Sequence, residues 1–200
     1  MSIFVTEEDR RDTIESFIAV LGRAPSQTEL GNFTVRVADG EISQGELVGE
    51  LFQSDEGQDN FAALTVSEGV NVFFNNLLNR DATQEEQVRL EGLVANQGGA
   101  LNAITTVTNV VQNADPVNPA TNDPRDPAVI ESDKDLVANK VNVAEFFAVA
   151  GSGSPEDAKT VLDSVTADTD TSDDAAIQAF INDSSTGSGG VGQTFTLTTD

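Results

Sequence analysis

Apolar residues recur along the first half of this chain at the i, i+3, i+4 spacing of a buried helix stripe, and one such stripe is written twice. Phe17, Val20 and Leu21 lead into Gly22-Arg23 and then Ser26 and Glu29; at a constant offset of 57 residues, Phe74, Leu77 and Leu78 lead into Asn79-Arg80 and then Thr83 and Glu86. Gly and Asn best tolerate the left-handed conformation just past a helix, so 22 and 79 read as helix ends. Ser or Thr followed three residues on by Glu is a capping box, which opens the next helix. Phe33 with Leu90 and Val37 with Val94 carry the match along that second helix. The unit is helix, tight turn, helix. A degraded third copy is expected over Phe146 to Leu162, with Gly151 ending a helix and Ser154, Pro155 and Asp157 starting another, but without the arginine.

Taken in order, Thr6 to Asp9 resembles a helix start, with acids that complement the helix dipole. Ile14 to Leu21, Leu30 to Val37 and, after Ser43, Leu47 to Phe52 give three helices, the last fading at Ser54 to Gly57. Thr65 to Leu78, then Leu90 to Val94, then Leu101 to Val111 give three more, so copies at about 14–56 and 71–113 make up a repeated helical domain over 1–113. Residues 114–130 read as a linker, since Asp115 to Pro127 holds four of the six prolines and no periodic apolar face. A second helical segment, 131–183, carries a helix over Asp135 to Val149 and two shorter ones, after Ser154 and over Ser172 to Ile181. A Gly/Ser hinge at 184–192 precedes 193–200, where Thr alternates with Phe195 and Leu197 at the period of a strand. The predicted class is all-α: an array of hairpins of about eight or nine helices, ending at the first strand of a β-rich region.

Composition narrows the chemistry. The net charge is −24, from 34 acidic and 10 basic residues, and splits to about −12 on either side of Asn113, so acidity belongs to the whole surface. Such a field repels nucleic acid and anionic lipid and favours cations. Cysteine and histidine are both absent, which removes disulfides, thiolates, the commonest general base and the commonest transition-metal ligand. No stretch approaches the ~20 apolar residues that cross a bilayer, so membrane insertion is not expected. Nor does the N-terminus show the basic and apolar pattern of a cleavable signal peptide.

Three groups are candidates for function. Arg23 and Arg80 recur in the turn after a helix; they could meet an acidic sugar, but a shared place beside the turn favours a structural role, capping carbonyls or bridging to a carboxylate. Asp168, Asp170, Asp173 and Asp174 offer hard oxygen ligands for calcium, although no EF-hand spacing is present, and a solvated loop with Ser172 capping the next helix is the simpler reading. Paired acids such as Glu7/Glu8 and Glu85/Glu86 diverge by about 100° on a helix and do not converge as a glycosidase pair would. No enzyme activity is expected. Asn71, Asn75 and Asn76, and Thr105, Thr106 and Thr108, read as solvent-facing helix positions.

The repeated unit, aromatic-x-x-[VL]-L-G-R-x-P-[ST]-x-x-E-L followed by a helix ending in Asp-Gly, resembles a bacterial helical repeat domain found in extracellular proteins that carry calcium-binding repeats-in-toxin modules. The second copy departs from it at Asn79 and Ala82. The segment DLVANKVNVAEFFAVA (135–150), followed by AKTVLDSVTAD and GQTFTLTTD, is similar to the region of surface-layer and adhesin-type proteins where helices pass into β-repeats. The resemblance implies type I secretion to the bacterial cell surface, with the chain stopping inside a longer protein. It further implies a non-catalytic anchoring and assembly region that attaches to lipopolysaccharide and to neighbouring copies with calcium dependence. Two other readings stay open. The chain could be a passive spacer of a secreted repeats-in-toxin enzyme or toxin whose active module lies beyond residue 200, or a small binding module complete as given.

Overall fold

A computed structural model describes residues 4–61, 63–88, 127–150 and 154–187, and these are all-helical, with no strand among them. The expected helix at 101–111, the terminal strand and residues 188–192 of the expected Gly/Ser hinge lie outside the described residues, while 184–187, expected to open that hinge, continue the last helix. Eight helices are bounded as α1 (Glu7–Leu21), α2 (Gln27–Ala38), α3 (Gln44–Gln53), α4 (Asp55–Phe61), α5 (Val66–Leu78), α6 (Pro127–Ala150), α7 (Pro155–Ser164) and α8 (Asp174–Gly187). A further helical stretch begins at residue 84.

Local chemistry fixes most starts. Thr6, Ser26, Ser43, Thr65 and Ser154 are N-caps, each in a closed capping box with the acid three residues on, and Pro155 fills the first turn of α7. These boxes satisfy amide groups that a helix start would otherwise leave unpaired. Pro127 opens α6 four residues inside the stretch expected to be linker, at a position where a missing N–H costs nothing. Asp173, one residue beyond the expected Ser172, caps α8 by accepting from the Ala176 amide at 2.8 Å.

The centre of the molecule is α1. Every residue from Thr13 to Leu21 is buried, and α1 packs against α2, α3, α4, α5 and α6. Two apolar clusters divide its surface. Phe17, Val20 and Leu21 join Leu47, Val48, Leu51, Phe61 and Phe73. Ile14, Ile18 and Ala19 join Val70, Phe74 and Leu77 of α5 together with Val141, Ala144, Val161, Leu162 and Ile181. Segment 127–187 therefore shares a core with the repeated helices. Buried hydroxyls on α1 bond back along the helix, Thr13 to the Asp9 carbonyl at 2.8 Å and Ser16 to the Asp12 carbonyl at 2.7 Å, so they enter the core satisfied.

Candidate functional site

The two arginine turns share their helix end and their bond to the capping-box glutamate. Gly22 and Asn79 both lie in the left-handed region, at φ 67°, ψ 20° and φ 52°, ψ 29°. Their amides close on Ile18 and Asn75 at 2.9 and 3.0 Å. Arg23 forks onto Glu29 at 2.9 and 3.1 Å and sits 5.5 Å from the Phe17 ring centroid; Arg80 forks onto Glu86 at 2.9 and 3.0 Å and sits 5.2 Å from Phe74. The copies differ in the second carboxylate. Arg23 takes Glu56 from α4 at 2.7 and 2.8 Å, whereas Arg80 takes Asp133 from α6 at 2.8 Å. With a further bond from Arg23 to the Ala24 carbonyl at 3.0 Å, its guanidinium donors are all spent inside the fold. These pairings hold both arginines charged and pull the carboxyls of Glu29 and Glu86 below their usual range despite burial. A small cavity of about 230 Å³ separates the Arg23–Thr28 turn from Phe147, Ser154 and Ala158, but the helix starts facing it are closed by their own caps.

The four aspartates of the 168–174 loop serve the backbone where their bonds are seen. Asp170 accepts from the Ser172 amide at 3.0 Å, the Ser172 hydroxyl and then its amide lowering the Asp170 pKa, and Asp173 caps α8. Among the described residues no three Asp or Glu side chains group closely enough to hold a metal ion.

Two buried polar groups escaped the sequence reading. Asn76, expected to face solvent, is buried and donates from Nδ2 to the Ala19 carbonyl at 3.0 Å; Ala19 is its own counterpart at the repeat offset. Asn71, also expected to face solvent, is half-buried and accepts from the Ala82 amide at 3.1 Å, bracing the second turn. Lys140 on α6, 1% exposed, donates to the Asn76 carbonyl at 2.6 Å and to Asn79 Oδ1, while burial lowers its pKa to about 8.

The feature with binding geometry is a groove of about 650 Å³ between α1 and α6, lined by Glu7, Glu8, Arg11, Asp12, Glu15, Lys134, Val137 and Ala138. At 100° per residue the five α1 positions fall within an arc of about 140°, so one helix face supplies four carboxylates. Glu15 is only 5% exposed, and one of its carboxylate oxygens has no hydrogen-bond partner. Desolvation, with Asp12 adding repulsion and Arg11 opposing it, raises its pKa to about 7. Asp12 is raised as well, first by burial and then by Glu8 and Asp9. On the helical wheel Glu15 falls between Ile18 and Ala19, and that was the signal available in the sequence.

No family model, curated protein or solved structure matches the chain. None of the described helices is long and apolar enough to cross a membrane.

Proposed function

We propose that this chain is a non-catalytic attachment and assembly module of a secreted bacterial surface protein, holding lipopolysaccharide or another anionic surface glycan, and neighbouring copies, through calcium. The observation that carries the reading is where the positive charge goes. Arg10, Arg23, Arg36 and Arg80 are bonded to carboxylates of the same chain, and Lys140 is buried. With these five cations paired to carboxylates or buried within the chain, the net charge of −24 leaves the molecule an excess of carboxylates without a basic partner. Direct contact with a polyanion is repulsive; a hard divalent cation shared between two sets of oxygens relieves it. Calcium completed by oxygens of the partner, rather than caged within one chain, agrees with carboxylates that are dispersed over the described surface.

The test is retention of the purified chain on lipopolysaccharide-coated beads, and its sedimentation, with calcium and then with EGTA. Retention and assembly in calcium that are lost on chelation and restored by calcium support the proposal. Retention that survives EGTA and instead falls with sodium chloride would remove the cation from the mechanism.

A further inference from the structure

We propose that the groove between α1 and α6 is a binding site for a primary alkylammonium group, with the ammonium seated against the Glu15 carboxylate and its methylene stem along Val137 and Ala138. Such a site is independent of calcium-mediated attachment. A carboxylate that is 95% buried with an unpartnered oxygen is an acceptor held in place for a donor the chain itself does not supply. Four carboxylates against two cations, Arg11 and Lys134, leave the lining acidic, so an anion is excluded. Arg11 leans away toward Asn142 Oδ1, 3.4 Å off on α6. The volume suits an organic ligand rather than a bare ion, and the described carboxylates do not group as metal ligands. The wall of Val137 and Ala138 is the kind of surface that takes a methylene stem while the charged head meets oxygen. Burial raises the Glu15 pKa to about 7, so below neutrality the carboxyl is mostly protonated and an arriving ammonium must displace that proton. The charged groups that line the groove with Glu15 are Glu7, Glu8, Arg11 and Asp12 on α1 and Lys134 on α6, and of these Asp12 and Arg11 act on its charge directly.

Two sources share this chemistry, a free polyamine and the lysine of a partner protein, and calorimetry on the whole chain separates them by titrating cadaverine in one arm and a capped Gly-Lys-Gly peptide in the other. Binding of either is expected, with proton release seen as an enthalpy that varies with the ionisation heat of the buffer near pH 6. Glu15→Gln should weaken binding about tenfold or more and abolish the buffer dependence. Asp59→Asn, the same charge change outside the groove, should leave both intact. Ala138→Leu, which fills the groove and keeps Glu15, should also block binding, and it covers the case of a poorly folded Glu15→Gln. Tighter binding of cadaverine assigns the site to polyamines; tighter binding of the peptide assigns it to a partner's lysine. The proposal is overturned if neither amine binds, if Glu15→Gln and Ala138→Leu bind like the parent, or if calcium alone shows the Glu15-dependent heat.

Discussion

Replacing Glu15 with glutamine should stabilise this protein at neutral pH and do little in mild acid. The side chain is 95% buried and its pKa rises from 4.5 to about 7, so solvent screening gives little relief. An acid whose folded pKa is raised binds more protons folded than unfolded between those two values, and stability falls as pH climbs through that window. Each unit is worth about 1.36 kcal/mol, which puts the cost of ionising Glu15 in place at roughly 3 kcal/mol near pH 8 and roughly 1 kcal/mol near pH 5. Glutamine has nearly the same shape and cannot ionise. Urea denaturation of parent and Glu15→Gln at both pH values would give two differences in unfolding free energy. Any penalty for the new amide donors is common to both, so the quantity to compare is their change with pH, about 2 kcal/mol in favour of the variant at the higher value. A difference that is the same at both pH values would refute the claim that Glu15 is destabilised by burial of its charge. So would a variant less stable at the higher pH, which would mean that the carboxylate has a cationic partner within the fold.

Arg23→Ala, which leaves Glu29 and Glu56 facing each other beside a buried site, should cost about 3 kcal/mol in urea unfolding; Arg23→Lys should recover only part, because an ammonium cannot fork onto two carboxylates. Two glycines should respond oppositely in thermal melts. Gly22→Ala meets a φ of +67° and places Cβ 2.7 Å from Asn76 Oδ1, so it should lower the midpoint by an amount matching about 1–2 kcal/mol or more, while Gly31→Ala, helical with open space around it, should raise it by up to about 1 kcal/mol. Lys140 has a folded pKa lowered to about 8 from 10.5, so the unfolded chain binds more protons between those values and stability should rise with pH across them; Lys140→Met should flatten that rise in urea titrations.

What the sequence disclosed is what local chemistry encodes. The capping boxes at Ser26 and Thr83, the cap at Ser154, the helix start at Ser43 and the left-handed ends at Gly22 and Asn79 need only neighbouring residues, and each is found at its position. Errors came where tertiary context reverses a local signal. Ser54 to Gly57 reads as a helix ending and α3 does end at Gln53, but the reading missed α4, which opens at Asp55, and Gly57 is there for clearance: a Cβ would stand 2.2 Å from the Leu51 carbonyl. Proline density around 116–127 suggests linker, but the last proline begins α6. The acidic groove was not legible because one of its walls belongs to a helix more than a hundred residues away, and no pattern on α1 alone says which face α6 will cover.

The same dependence on a distant helix explains why the repeat is symmetric in its turns and not in its partners. The contact between Asn76 and Ala19, equivalent positions in the two copies, means that the copies meet face to face at α1 and α5, as subunits do across an isologous interface. Each arginine turn takes one carboxylate from its own capping box and has room for another. The first copy fills that room from its own α4, through Glu56. The second fills it from α6, through Asp133, and the same turn offers α6 the Asn76 carbonyl and Asn79 Oδ1 for Lys140 while Asn79 Nδ2 reaches the Val165 carbonyl at 2.8 Å. An arginine in this turn is therefore a connector that accepts whichever acidic helix is packed against it. That substitution ties 127–187 to the repeated helices, and in doing so it lays α6 along α1 and closes the second wall of the groove that holds Glu15.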